Sequence, residues 1–140
     1  MTQQERQILA AAMDRILPSG PSPGAADANA IGYAEWVTRQ PRFHRMSQSL
    51  TLGLTLLESV ARGMWGKSFP ACLEDERDAV LETVRRTPHP TVQRFFAMLV
   101  NVTLAGFLCA PDYGGNRGGL GWRYIGFKPH RLTRGSRALG

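Results

Sequence analysis

The sequence predicts an all-α fold: a single small helical domain of about five helices with a glycine-rich, aromatic C-terminal extension. Apolar residues recur mainly at helical spacing, and prolines or glycines separate the segments that show it. No segment alternates strongly enough to predict a strand. With 140 residues, 43% of them hydrophobic and 20% charged, the chain fits one globular domain. The domain is expected over residues 1–127, followed by a basic tail over residues 128–140.

The first two helices are predicted on either side of a proline- and glycine-rich segment, residues 18–25. Thr2 and Glu5 have the spacing of a capping box, which predicts the start of the first helix. Its apolar face consists of Ile8, Leu9, Ala12, Met13, Ile16 and Leu17. The second helix is predicted from Ala30, Tyr33, Ala34 and Val37, and it ends before Pro41.

Two amphipathic helices are predicted in the middle of the chain. The apolar residues of the third are Leu50, Leu54, Leu57, Ala61 and Met64. Glu58 and Arg62 are four residues apart on this helix, where opposite charges pair. The apolar residues of the fourth are Leu73, Val80, Leu81 and Val84.

The fifth helix is the most apolar segment of the chain. Pro90 suits its first turn, and His89, between two prolines, suits the turn that starts it. Its wide apolar face is formed by Val92, Phe95, Phe96, Leu99, Val100, Thr103, Leu104, Phe107 and Leu108. Its densest part, residues 97–110, is about fourteen residues and contains Asn101, whereas a bilayer span needs roughly twenty apolar residues. A core helix is therefore predicted rather than a membrane span.

Several patterns that could carry chemistry lack a required residue. The segment 20–24 matches the G-x-S-x-G of serine hydrolases, but Pro23 has no backbone N–H for an oxyanion hole. A phosphate loop would need lysine where Phe127 stands, and a dinucleotide loop would need glycine in place of Tyr124. The three histidines have no metal-ligand spacing, and no carboxylate pair suggests acid–base catalysis. No catalytic, cofactor-binding or metal-binding residue is predicted in this chain.

The charge and the cysteines leave alternatives open. The formal net charge is +6, and the segment 128–140 contributes four cations and no acid. An alternative function is therefore a basic module that binds nucleic acid or an anionic surface, although no nucleic-acid partner is expected. Cys72 and Cys109 form no C-x-x-C motif and are expected to be buried and reduced, with a disulfide not excluded by sequence. No signal peptide is visible in the sequence.

The glycine-rich segment 111–127, PDYGGNRGGLGWRYIGF, is the most distinctive part of the chain. Pro111 is expected to end the fifth helix. Gly114 and Gly115 permit positive φ angles, and Asn116 tolerates the left-handed region. The remaining glycines keep the segment thin enough to lie against another backbone. Its aromatic residues then predict a bent strap anchored on the helices or on a partner.

This segment resembles the C-terminal signature D-P-x-Y-G-G-N-x-D-G-x-G-W-x-x-I-G-F/Y of the gluconate 2-dehydrogenase subunit 3 family. The segment ILPSGPSPGAADANAIGYAEWV also resembles an early region of that family. The aspartate of the signature is replaced by Gly118, and a basic segment replaces the proline–glycine that usually follows the last aromatic. The candidate interface or structural residues are Tyr113, Gly114, Gly115, Asn116, Arg117, Gly121, Trp122, Arg123, Tyr124 and Phe127.

The resemblance implies a noncatalytic small subunit of a periplasmic or membrane-associated sugar or alcohol dehydrogenase. The expected partner is a large flavoprotein of the glucose–methanol–choline type, which holds FAD, and a cytochrome c subunit is a possible third component. The small subunit is expected to support folding, stability or export of the large one. A periplasmic location is expected for the complex, and a cytoplasmic one is the alternative. Arg117 and Arg123 are expected to make charge-assisted hydrogen bonds.

Overall fold

A computed structural model describes residues 1–128, and these residues are helical without strands. Six α-helices follow in order: α1 (Gln3–Ile16), α2 (Ala30–Thr38), α3 (His44–Trp65), α4 (Glu74–Arg86), α5 (Pro90–Leu108) and α6 (Leu120–Ile125). Short 3₁₀ turns lie at Pro41–Phe43, Phe69–Ala71, Pro111–Tyr113 and Arg117–Gly119. The all-α prediction is confirmed. The sixth helix lies inside the C-terminal segment, which was predicted to be a strap.

The helix ends follow from local sequence. The Thr2 hydroxyl accepts the Glu5 backbone N–H at 3.1 Å, and the Glu5 carboxylate accepts the Thr2 backbone N–H at 2.7 Å, so the predicted capping box is present. Gly66 ends α3 in the left-handed region with φ 68°. At α5, Pro90 occupies the first turn and the His89 ring nitrogen Nδ1 accepts the Thr91 backbone N–H at 3.2 Å. The predicted role of His89 as a helix start is therefore confirmed.

The hydrophobic core lies between α5 and the four helices that precede it in sequence. Its fully buried large side chains include Leu9, Met13, Leu50, Leu54, Leu57, Phe69, Val80, Val84 and Leu99. Helices α3 and α5 approach closely at Gly53, where an added Cβ would lie 1.8 Å from the Phe95 ring. The small residue at this crossing lets an aromatic side chain pack directly on the α3 backbone.

Some apolar residues predicted to line the core are exposed. Leu73 precedes α4 instead of lying within it and is 64% exposed, and its backbone N–H donates to the Glu76 carboxylate at 2.8 Å. Met64, Leu104 and Leu108 also face outward. By length and composition α5 is the one helix in residues 1–128 that could cross a membrane, and only 33% of its apolar window is buried. The apolar surface of α5 is therefore wider than its neighbours cover.

Candidate functional site

Asn116 is the centre of the C-terminal segment and is 0% exposed. Its side-chain NH₂ donates to the Cys109 carbonyl at 2.8 Å, and its Oδ1 accepts the Gly121 backbone N–H at 2.7 Å. Its own backbone N–H donates to the Gly106 carbonyl at 2.7 Å. Its φ of 44° lies in the left-handed region, as predicted, which asparagine adopts more readily than most residues. One buried side chain thus joins the end of α5 to the start of α6.

Trp122 closes the same helix end from the other side. Its indole Nε1–H donates to the Leu108 carbonyl at 2.8 Å, and its ring meets Phe127 edge-on with centroids 5.4 Å apart. Carbonyls at the end of an α-helix have no partner within the helix. Asn116 and Trp122 supply partners for three of these groups, so both residues act within the chain as a cap for α5. We call residues 113–122 the clasp.

Two glycines of the clasp are required by close approach to α5. A Cβ on Gly121 would lie 1.9 Å from the Phe107 carbonyl oxygen, and one on Gly115 would lie 2.3 Å from the Gly106 carbonyl oxygen. Gly114 is required for two reasons, since its φ is 95° and a Cβ there would lie 2.8 Å from the Gly32 carbonyl oxygen of α2. The prediction of positive φ is therefore confirmed for Gly114, whereas at Gly115 the lack of space for a side chain is the reason.

The clasp also holds α2 against α5. The Arg117 backbone N–H donates to the Ala28 carbonyl at 2.9 Å, and the Asn29 side-chain NH₂ donates to the Gly114 carbonyl at 3.0 Å. Beside these bonds Gly106 of α5 packs so closely on Ala30 that an added Cβ would lie 2.8 Å from the Ala30 carbonyl oxygen. The roles of Asn29 and Gly106 were not predicted. A sequence signal existed, because glycine inside an apolar helix often marks a close helix crossing.

The aromatic residues that follow or precede the buried part of the clasp remain exposed. Tyr113 is 44% exposed and lies against Trp36 with ring centroids 4.7 Å apart. Tyr124 is 56% exposed, although its hydroxyl lies 3.2 Å from the Ser22 hydroxyl. Phe127 is 43% exposed. The predicted site residues therefore separate into a buried group that shapes the fold and an exposed group that is available to a partner.

The two arginines of the segment belong to the exposed group. The Arg123 guanidinium donates to the Gly118 carbonyl, which fixes its position across the turn. No carboxylate within residues 1–128 lies within 4 Å of Arg117. The charge-assisted hydrogen bonds expected of both residues remain a prediction. Of the predicted basic tail only Lys128 is described, and residues 129–140 lie outside the described part of the chain.

Comparison with known families identifies the family of the chain. A family model for gluconate 2-dehydrogenase subunit 3 matches residues 3–129. The chain belongs to the gluconate 2-dehydrogenase subunit 3 family. Members of this family are small subunits of a dehydrogenase complex, so a heteromeric partner is implied. No curated protein and no solved structure matches the chain.

The cysteines of this subunit are shielded thiols. Cys72 is buried and Cys109 is half-buried, and both are free. Burial raises the pKa of each thiol above its ordinary value. A thiol with a raised pKa carries less thiolate at neutral pH and is a poor nucleophile and metal ligand.

The glycine-rich segment, as far as residue 128, does not form the dinucleotide-binding turn at which a doubly wound fold binds FAD. A dinucleotide site needs a strand that leads through a glycine-rich turn into a helix. Here Gly119 ends a 3₁₀ turn, Gly121 is packed on α5, and α6 is only six residues long. Within residues 1–128 no group of three histidine, cysteine or carboxylate side chains could hold a metal ion. Three open surface grooves, each of about 300 to 480 Å³, are lined by residues outside the glycine-rich segment.

One of these grooves, of about 460 Å³, lies beside the clasp between α2, the start of α3 and α5. Its lining residues are Tyr33, Val37, Phe43, Met46, Arg94, Ala97, Met98, Asn101, Val102 and Ala105. The clasp reaches one wall of it, because a Cβ on Gly115 would lie 3.0 Å from the Tyr33 Cβ. We call this surface the α5 groove. The clasp therefore lies against one wall of the groove, beside the direct contact between Gly106 and Ala30 that brings α5 and α2 together.

Proposed function

We propose that this chain is a noncatalytic small subunit that supports the folding, stability or export of a large FAD-dependent subunit. That partner is a glucose–methanol–choline type oxidoreductase that acts on a sugar or an alcohol. Family membership over residues 3–129 supports the subunit role, and the resemblance of the signature supports the type of partner. The periplasmic location and a cytochrome c component are part of the same proposal and depend on that resemblance alone.

The observation that carries the proposal is the exposed apolar surface around the end of α5. Its members are Leu104, Leu108, Tyr124, Ile125 and Phe127, each at least 37% exposed. We call it the C-terminal patch. The indole of Trp122 connects its two parts, since it donates to the Leu108 carbonyl and packs on Phe127. Exposed apolar clusters on small proteins mark interaction surfaces, and aromatic residues are enriched in interface cores.

The clasp gives this patch a fixed shape. Asn116 and Trp122 bind the backbone of α5, and the exposed aromatic residues come directly after them in sequence. A surface held in one conformation before binding loses less conformational entropy on association. The buried half of the signature therefore supports the exposed half, which explains why one short segment contains both kinds of residue.

The proposal is tested by affinity purification of the tagged full chain from its native cells, with an absorption spectrum of the eluate. We expect a co-purified chain several times larger, with a flavin spectrum that bleaches when the correct sugar or alcohol is added. A colourless eluate that contains only the tagged chain would contradict the proposal. An eluate with RNA would favour the nucleic-acid alternative.

A variant pair tests the role of the C-terminal patch. We expect the double substitution Tyr124→Ser and Ile125→Ser to reduce recovery of the large subunit at least fivefold, because it removes two exposed apolar contacts. Leu73→Ser is the matched control, since Leu73 is 64% exposed on a different part of the surface. Equal recovery with both variants would show that the patch is not part of the interface.

A further inference from the structure

The arginines of this subunit fall into two groups, those with a carboxylate partner and those without one. On the α1 and α4 side they have carboxylate partners, as in the pairs Arg15–Asp78, Arg77–Asp14, Arg85–Glu82 and Arg86–Glu82. Six other exposed arginines have no carboxylate within 4 Å among residues 1–128: Arg39, Arg42, Arg45 and Arg94 on or beside α2, α3 and α5, and Arg117 and Arg123 in the C-terminal segment. A cluster of cations without internal partners is available for external anions.

Two of these arginines, Arg42 and Arg94, lie at the α5 groove. Arg94 lines it directly. The Arg42 guanidinium lies 5.0 Å from the centre of the Phe43 ring, and Phe43 is part of the lining. The groove therefore combines an apolar floor with a cationic rim.

No acidic residue balances this rim from the elements that form the groove. The sequence has no aspartate or glutamate between Glu58 and the preceding acid, Glu35, and none between Glu82 and Asp112. Glu35 of α2 is itself paired with Arg6 at 2.9 Å. The helices α3 and α5 thus present only neutral and positive side chains to the groove.

We propose that the α5 groove binds an acidic amphipathic helix of the large subunit. An amphipathic helix places apolar side chains into a groove at positions i, i+3 or i+4, and i+7. Eight of the ten lining residues are apolar, and Met46 and Met98 supply adaptable side chains that suit such contacts. Arginine binds carboxylates in two parallel hydrogen bonds, so glutamate or aspartate on the helix edges would pair with the rim.

The shape of the site favours an acidic helix over two other anionic partners, a nucleic acid and a bilayer surface. Nucleic acid is held mainly through its phosphates, for which an apolar floor offers no partner. A bilayer surface is broad, whereas the apolar residues here lie in a concave groove between α2 and α5. The assignment of the helix to the large subunit rests on the proposed function. The inference that the groove binds an acidic amphipathic helix does not depend on it.

The first experiment uses the purified full chain and a defined probe. The probe is a labelled helical peptide of about fifteen residues, or about four helical turns, with leucine on one face and glutamate on its edges. It is compared with the same peptide in which lysine replaces each glutamate. We expect the glutamate peptide to bind, and the lysine peptide to bind at least tenfold more weakly. Binding of the glutamate peptide should weaken at least tenfold with the double substitution Arg42→Glu and Arg94→Glu, and also as salt is raised.

The matched control is the double substitution Arg62→Glu and Arg86→Glu. It changes the net charge equally, both side chains are exposed, and neither lines the groove. We expect less than a threefold effect. No binding of the glutamate peptide, equal binding of the lysine peptide, or equal loss in both double variants would overturn the proposal. Binding of phosphatidylglycerol vesicles or an oligonucleotide at the groove instead of the peptide would also overturn it.

The second experiment separates this inference from the proposed function. The groove double variant, confirmed as folded by circular dichroism, replaces the wild-type chain in the affinity purification. At least tenfold lower recovery of the flavoprotein is expected. If the wild-type and variant chains recover it equally, the groove does not bind the large subunit, although the subunit role stands. If the wild-type chain recovers no flavoprotein, the proposed function fails and the assignment of the helix to the large subunit fails with it.

Discussion

The end of α5 and the side of α5 differ in whether the chain itself supplies partners for their exposed groups. At its end, the clasp gives the Gly106, Leu108 and Cys109 carbonyls partners from the same chain. Along its side, the α5 groove leaves apolar side chains and Arg94 without a covering element in the described residues. A polar group that the fold satisfies contributes to stability, whereas an open apolar surface beside unpaired cations is available for binding. Substitutions at the two places should therefore have separable effects.

The largest effect is expected at Asn116. Asn116→Ala removes hydrogen bonds to Cys109 and Gly121 and places alanine at a left-handed φ, so we expect a loss of about 3 kcal/mol. In thermal unfolding the midpoint should fall by about 10 °C. Asn116→Gly should recover about 1 kcal/mol of this loss, because glycine adopts the backbone angle without strain. The groove variant Arg94→Glu should leave the midpoint almost unchanged, and an equal drop would remove the distinction.

The next effect tests close packing in the clasp. Gly121→Ala places a Cβ 1.9 Å from the Phe107 carbonyl oxygen, a backbone atom that cannot turn aside. We expect a loss of about 2 kcal/mol from overpacking, measured by urea unfolding. Gly63→Ala is the matched control, since a Cβ there meets nothing within 4 Å on an exposed face of α3. It should stabilise the chain by about 0.5–1 kcal/mol through better helix propensity, so a loss at both positions would contradict the packing argument.

A smaller effect is expected at Trp122. Trp122→Phe keeps an aromatic ring against Phe127 but removes the Nε1–H that donates to the Leu108 carbonyl. The bond is exposed, so water can replace the donor and the expected loss of stability is about 0.5–1 kcal/mol. Trp65→Phe at the exposed end of α3 serves as the control and should change the unfolding midpoint less. If the two variants behave alike, the indole bond does not stabilise the end of α5.

The smallest effect concerns the paired charges on α4. Hydrogen bonds from Arg85 and then Arg86 lower the pKa of Glu82 to about 2. Because this pKa is lower in the folded chain than in the unfolded chain, the pairs stabilise the fold above about pH 4.5 and lose this effect as pH falls towards 2. Glu82→Gln should therefore slightly reduce the fall in unfolding midpoint between these pH values. Arg94→Gln should leave that fall unchanged, because no carboxylate lies within 4 Å of Arg94 in residues 1–128.

The sequence was informative where structure depends on neighbouring residues. The capping box at Thr2 and the start of α5 at Pro90 are local features, and both predictions are confirmed. Helix α6 was not predicted, because Gly121 has low helix propensity and six residues are too few to show a period. The apolar residues around Leu104 were assigned to the core, since a hydrophobic period does not tell whether a neighbour exists to cover it.

The candidate site depends more on contacts between distant residues. The Asn29 side chain and the Gly114 carbonyl are 85 residues apart in sequence, so no local pattern could predict their hydrogen bond. The same applies to the α5 groove, where Phe43 and Met98 line one surface although they are far apart in sequence. Asn116 was singled out for its backbone angle, but its hydrogen bonds to two separate helix ends required the folded chain.

The bond between Asn29 and Gly114 also has a consequence for the order of events on the ribosome. Chains are made from the N-terminus, and contacts between distant residues form slowly because the intervening loop must first be closed. Helices α1 to α4 are synthesised before the clasp, so they can associate while α2 still lacks its final attachment. The two hydrogen bonds that join the clasp to Ala28 and Asn29 therefore form only after the whole of α5 has been made. The attachment of α2 to the clasp is consequently a late step in the folding of the chain during its synthesis.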